Sequence, residues 1–343
     1  MRIGIPREIK DGEHRVALSP AGISGLGQVV VEPGAGRGVG FSDEDYQAAG
    51  ATFGDPWDCE IVVKVKELQP AEYRKPRPGQ LVCGFQQFAV DRPLLEAALA
   101  SGATFLVYST VGQESGRFPI LAPMSAIAGR LAVQVGAWCL QKQNGGSGVL
   151  LPGYGEVPPG KVVIIGAGNV GSNALEVAYG IGAAVTVFSR SDKPQLKVRY
   201  PRAVFRTGPP SIEDADLVIG GVLTPGGRAP KLITRKMLAA LRRGSAFVDV
   251  GIDQGGIAET SRHTSHSNPT YVDEGVVHYC VPNLPAACPR TASLALERAV
   301  LPYLRKLLKG EIDADLATGI QVKAGKVTHE RLARDAGRAY SRL

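Results

Sequence analysis

KVVIIGAGNVGSNALEVAYGIGAAVTVFSRSDK, residues Lys161 to Lys193, reads as a strand, a tight glycine turn, a helix and a second strand. Val162 to Ile165 is the short apolar run of a buried parallel strand, and Gly166, Gly168 and Gly171 follow it in G-x-G-x-x-G spacing. A helix opening at Asn169 and Val170 aims its first backbone N–H groups and positive dipole end at a pyrophosphate, and the glycines let the main chain approach it. The second strand, Ala184 to Phe188, ends in Ser189-Arg190-Ser191. An NAD turn of this kind carries Asp or Glu there, to hold the ribose 2′-hydroxyl. A hydroxyl followed by a guanidinium suits a 2′-phosphate, so NADP(H) is expected over NAD(H).

Outward from this stretch, the 343 residues are long for one hydrophobic core. Upstream, apolar runs at Ile3 to Ile5, Val29 to Val31, Ile61 to Val65, Leu81 to Phe85 and Thr104 to Tyr108 alternate with helical patterns such as Pro93 to Ala100. That order predicts βαβ units. Met124 to Gln143 reads as one long helix, followed by a Gly- and Pro-rich loop to Gly160. Downstream, strands are expected at Leu217 to Val222 and Ala246 to Val250, and helix resumes over Ala292 to Lys309. The expectation is an α/β fold of two Rossmann-like domains with parallel sheets. Residues 1–123 and 292–343 would form a discontinuous substrate domain and 124–291 the dinucleotide domain, with the active site in the cleft between them.

Apolar content of 44% and charged content of 21% suit a soluble enzyme. The net charge of +7 is scattered, without a block of like charges, which argues against a nucleic-acid partner. It suits an anionic substrate and a phosphorylated cofactor, or a surface that is simply basic. The chain starts directly on a strand, with no leader pattern, so a cytoplasmic location is expected. The apolar region Ala122 to Leu140 contains Arg130 and reads as a buried helix, so no membrane association is expected. The five cysteines show no C-x-x-C pairing and read as reduced core residues, with no metal site.

Several residues can carry chemistry. Arg15 follows a polar loop and precedes an apolar run, where its guanidinium can grip a carboxylate or form a surface salt bridge. Lys64 and Lys66 alternate with valines, as at a strand end facing a ligand or on a solvated edge strand. In FVDVGIDQGG an apolar strand ends in Asp253 and then glycines, placing a carboxylate at the sheet edge or in a turn. Asn283 can bind the nicotinamide carboxamide or serve a turn. His263, His266 and Glu259 lack helical metal-ligand spacing and read as a polar loop.

The stretches MRIGIPREIKDGEHRVALSPAG, EPGAGRGVGFSDEDYQAAGA, VVKVKE, LAPMSAIAGRLAVQVGA, KVVIIGAGNVG, ADLVIGGVLTPGGRAPKL, FVDVGIDQGG and VHYCVPNLPAACPRTAS closely resemble the alanine dehydrogenase family, with its transhydrogenase relatives, in order and over nearly the whole chain. The resemblance implies an oxidoreductase acting on an amino or imino acid, commonly a hexamer or dimer. By position it implies that Arg15 and Lys66 hold the substrate's carboxylate and carbonyl and that Asp253 is the active-site aspartate. Ser125, Val222, Leu223, Val250, Val281, Asn283 and Leu284 would surround the nucleotide.

Two departures matter. Where the family reads Y-L-H-L-A-A-D, this chain has Phe85-Gln86-Gln87-Phe88-Ala89-Val90-Asp91, so Gln87 replaces the catalytic histidine. A glutamine cannot exchange a proton near neutral pH. The second is the missing acid at Ser189; Ser109 and Ala126 also stand where the family often has glutamates. These changes favour NADPH-dependent reduction of a preformed, carboxylate-bearing imine, with Gln87 contacting the substrate. Amination of an ordinary 2-oxo acid, with Lys66 or a water moving the proton, and a dinucleotide-binding protein without turnover are the alternatives.

Overall fold

The computed structural model describes residues 1–222 and 228–343. Fifteen strands are found among them: β1 Ile3–Ile5, β2 Val29–Val31, β3 Thr52–Phe53, β4 Ile61–Val63, β5 Leu81–Gly84, β6 Thr104–Val107, β7 Lys161–Ile165, β8 Ala184–Ser189, β9 Val204–Thr207, β10 Leu217–Gly220, β11 Ala246–Asp249, β12 Thr270–Asp273, β13 Val276–Tyr279, β14 Ile320–Lys323 and β15 Lys326–Val327. The helices used below are α1 Asp43–Ala48, α2 Arg92–Ser101, α3 Leu121–Cys139, α4 Asn169–Gly180 and α5 Pro289–Leu308. The chain divides into two compact units, Met1–Met124 with Cys288–Leu343, and Ser125–Ala287.

The first unit holds an eight-stranded sheet in the order β15-β14-β6-β5-β4-β1-β2-β3. β1 to β6 are parallel, and β14 returns antiparallel against β6. Ile3, Ile5, Ile61, Val62 and Val63 are buried without alternation, as parallel strands covered on both faces require. The chain builds outward from β1 to β3 and then restarts on the other side with β4. The topological switch therefore lies between β1 and β4, and ligands of open α/β sheets bind at the carboxyl ends of strands at such a point.

The second unit holds a seven-stranded sheet in the order β12-β13-β11-β10-β7-β8-β9, parallel except for β12. Val162 and Ile164 join one core layer while Val163 and Ile165 join another, so the continuous apolar run serves both faces. Its switch lies between β7 and β10, beside the glycine loop. Two α/β units with mostly parallel sheets are thus the architecture.

Element ends differ from the sequence reading. The long helix starts at Leu121, because Pro123 is tolerated in a first turn, and stops at Cys139. Gly146 packs so tightly on Cys139 and Leu140 that a Cβ would lie 2.2 Å from the Leu140 carbonyl carbon, which turns the chain before Gln143. α5 starts at Pro289, whose fixed φ suits a first helical position, three residues ahead of Ala292. Among the described residues no helix is long and apolar enough to cross a membrane.

Candidate active site

In the first unit the candidate residues follow the carboxyl ends of neighbouring strands. Arg15, after β1, is 2% exposed. Its Nε donates to Glu13 Oε1 at 2.7 Å, and Nη2 lies 2.5 Å from Oε2. Nη1 faces Met124 Sδ at 3.3 Å. The surface salt bridge is therefore corrected to a buried one: Glu13 takes two donors of the fork and fixes its plane. Glu13 also accepts the Arg15 backbone N–H at 3.0 Å. A cavity of about 420 Å³ opens over this pair.

β4 ends at Val63, so Lys64 and Lys66 lie past the strand, and β4 is interior between β1 and β5. The edge-strand alternative is overturned. Lys64 is fully buried, 3.2 Å from Glu8 and 2.8 Å from Glu72. Burial pulls its ammonium down, but the two carboxylates outweigh it and hold it above its ordinary value. Lys66 is 7% exposed and pairs with Glu67 at 3.3 Å. Burial would raise Glu67, yet Lys66 and then Lys10, which also bonds it, hold it below the ordinary range.

Glu8 is a residue the sequence reading missed. Its Oε1 accepts the N–H of Val65 at 2.6 Å and of Lys66 at 3.4 Å, so it sets the backbone that carries Lys66. Burial pushes its carboxyl up, against the pull of Lys64. After β5, Gln87 is exposed and its carbonyl accepts the N–H groups of Val90 and Asp91. Its neighbour Gln86 is the buried one. Gln86 Oε1 accepts from Leu68 N at 3.2 Å, and Nε2 has no hydrogen-bond partner among the described residues.

In the second unit, Gly166 sits at φ +101°, and a Cβ on Gly171 would fall 1.7 Å from the Gly166 carbonyl oxygen. The turn needs both glycines. A Cβ at Gly168, by contrast, would meet nothing within 4 Å, which leaves open space at the start of α4, where Asn169 and Val170 form the first turn. Val222 follows β10, and Leu223 lies outside the described residues. Ser189 donates to the Ser191 carbonyl at 2.7 Å, and Arg190 and Ser191 are exposed. The next acid along the chain, Asp192, is 2.5 Å from Lys197.

β11 ends at Asp249, four residues before Asp253, so Asp253 stands in the short 3₁₀ turn Val250–Gln254 and not at the strand end. The buried carboxylate at the strand end is Asp249, which sequence reasoning passed over. It accepts from Gly251 N, Ile257 N and Ser261 Oγ, although burial raises it. Asp253 is exposed and accepts the Asn283 N–H at 3.3 Å, which brings these two candidates together. Asn283 adopts φ 55°, a left-handed conformation that Asn tolerates. Val281 and Leu284 on either side are buried in the core, and Ser125 is half-buried on α3. Glu259 accepts the Arg235 N–H, and His263 and His266 are exposed.

Two domain families match the chain: "Alanine dehydrogenase/PNT, N-terminal domain" over residues 4–128 and "Alanine dehydrogenase/PNT, C-terminal domain" over 132–330. The chain belongs to the alanine dehydrogenase/PNT family. It is 45% identical to an alanine dehydrogenase of Halomonas elongata, covering 99% of this chain and 98% of that one. A solved L-alanine dehydrogenase superposes with a TM-score of 0.94 at 43% identity, covering 98% of this chain and 99% of that one. A transhydrogenase from Sinorhizobium meliloti gives 0.82 at 25% identity, covering 96% and 99%. As an alanine dehydrogenase/PNT member the chain is an oxidoreductase of the nicotinamide-dinucleotide class. The second unit fits such a cofactor: a turn with no room for side chains at Gly166 and Gly171 has open space at Gly168, at a helix start and at the switch point of the sheet.

Proposed function

We propose that this chain is an NADPH-dependent reductase acting at a carbon–nitrogen bond, on an imine or cyclic ketimine that carries a carboxylate and arrives already formed. The reading rests on the loop after β5, where Gln87 is exposed and, by the resemblance, stands where the family carries its catalytic histidine. Forming an imine from a 2-oxo acid and ammonia needs proton transfers, and lacking the acid/base group costs about 10²–10⁴-fold. Hydride addition to an iminium carbon needs no further acid in that step. The dinucleotide supplies the hydride when bound. Arg15 grips the carboxylate, Lys66 and Gln87 contact the reacting end, and Asp253 with Asn283 lines the nicotinamide side. Ser189, Arg190 and Ser191 receive the 2′-phosphate. The pairing of Asp192 with Lys197 is in keeping with this choice, since it draws the acid that follows Ser191 toward a lysine. A homo-oligomer, hexamer or dimer, belongs to the same reading.

The test is NADPH and NADH oxidation by purified protein with piperideine carboxylate, a cyclic ketimine, and with pyruvate plus ammonia. We expect NADPH-linked turnover of the ketimine and amination at least about 100-fold slower. Brisk pyruvate amination, or equal use of NADH, overturns the corresponding half.

A second reading has its own observation. His14, an exposed residue next to Arg15 in the chain, lines the same cavity as Arg15. On this reading the chain aminates a 2-oxo acid, as the names of its relatives suggest, with His14 moving the proton. His14→Asn would then abolish pyruvate amination and leave ketimine reduction intact.

A further inference from the structure

The cavity over Arg15 has a second positive end. Its wall is the loop after β2, where Arg37 starts a 3₁₀ turn, Arg37–Val39. That loop is held rigidly. Phe41 N donates to Gly36 O at 3.0 Å, and a Cβ on Gly36 would lie 2.6 Å from the Tyr46 ring. A Cβ on Gly38 would lie 2.5 Å from the His14 carbonyl oxygen, so the Arg37 turn packs directly on the segment leading to Arg15. Arg7 lines the same cavity, and its backbone N–H is tied to Glu32 at 2.9 Å, at the root of the β2 loop.

The acids of this cavity are already engaged. Glu13 holds Arg15, Glu8 holds Lys64, and Asp43, at the start of α1, accepts the Gly34 N–H at 2.8 Å. The side chains of Arg7, Arg37 and His14, in contrast, enter no hydrogen bond, ion pair or ring contact among the described residues. The lining carries three guanidiniums, Arg7, Arg15 and Arg37, and three carboxylates, Glu8, Glu13 and Asp43, and of the guanidiniums Arg15 is committed to Glu13 while those of Arg7 and Arg37 face the cavity without an ion-pair partner among the described residues. A three-carbon acid on Arg15 would fill only a small part of about 420 Å³, a volume in the range of pockets that enclose much larger ligands.

We infer that the substrate has two anionic groups, and that a second carboxylate, distal to the one on Arg15, is bound by Arg37 and Arg7. The chemical class is then a dicarboxylic imino acid. The proposal rests on the reading of Arg15 as the carboxylate ligand, and it deepens the substrate class of the same site. Guanidiniums suit this task because their planar fork matches a carboxylate bidentately.

The experiment is isothermal titration of the full-length protein with glutarate and with butyrate, unreactive acids that differ by one carboxylate. Glutarate should bind at least about tenfold tighter, and Arg37→Leu should remove about tenfold of that while butyrate changes less than about twofold. Arg37→Lys, which keeps the charge, should retain most of the preference and guards against a folding defect in the leucine variant. Equal affinity for the two acids, or a preference untouched by Arg37→Leu and Arg7→Leu, overturns the inference. Binding needs no turnover, so the two readings fail separately. Glutarate preference without ketimine reduction defeats the reductase reading alone. Reduction of piperideine carboxylate no slower than piperideine dicarboxylate, with no glutarate preference, defeats this one alone.

Discussion

Gln87 is exposed and its side chain makes no hydrogen bond among the described residues, so changing it tests chemistry without disturbing packing. Gln87→His should raise kcat for pyruvate plus ammonia by about tenfold or more and add a pH limb near 6.5, the ordinary range of an imidazole. An unchanged amination rate would overturn the role given to the side chain at position 87. What the sequence disclosed at this scale was side chains whose chemistry is evident from type and neighbours: Arg15, Lys66 and the glycines of the turn. Glu8, Gln86 and Asp249 stayed hidden because their importance comes from burial. Glu8 meets Lys64 from 56 positions away, a pairing that only the adjacency of β1 and β4 creates. Nothing in the residue types of PREIKDGEHR separates Glu8 from a solvated acid.

Strands were legible as apolar runs, and their starts agree closely with the structure, but five of them, β4, β5, β6, β10 and β11, end one or two residues sooner than the runs do. The apolar pattern continues past β4, β5, β6 and β10 because the loops at the carboxyl edge stay buried: Val65, Tyr108 and Gly221 are as enclosed as the strands before them. Periodicity reports burial, not hydrogen bonding. The glycine turn gives an element-scale prediction. Gly171→Ala forces a methyl onto the Gly166 carbonyl and should cost about 1–3 kcal/mol in urea unfolding, with loss of dinucleotide binding. Gly168→Ala enters open space with φ −84°, so stability should hold within about 0.5 kcal/mol while NADPH affinity falls. The β12–β13 hairpin gives another. His278 is buried between Phe247 and Tyr271, its Nδ1–H donating to the Val276 carbonyl and its Nε2 accepting from Thr260. Burial holds the ring below its ordinary 6.5. The unfolded chain therefore binds the proton first, and stability should be full above pH 6.5 and decline as the pH falls from there toward the lowered folded value. His278→Phe should flatten that slope in pH-dependent urea melts.

Across the whole molecule, two sheets with separate cores give each unit the means to fold around its own ligand, and alternating strand and helix patterns made that duplication readable from sequence. Which faces of each unit receive ligands was not readable, because a switch point is a property of strand order and β4 returns beside β1 only in three dimensions. The two tryptophans give each unit a reporter. Trp57 is packed in the first unit's core at 4% exposure, and Trp138, on α3 in the second unit, is 40% exposed. In Trp57→Phe the fluorescence follows the second unit, and in Trp138→Phe the first. NADPH at about 100 times its Kd should stabilise the transition seen by Trp138 by about 2.7 kcal/mol, and NADH at the same concentration by distinctly less. Glutarate should instead move the transition seen by Trp57. If both reporters shift together with either ligand, the units unfold as one cooperative block and ligand energy is shared across the chain. If NADPH moves only Trp57, the glycine turn after β7 is not where the dinucleotide binds.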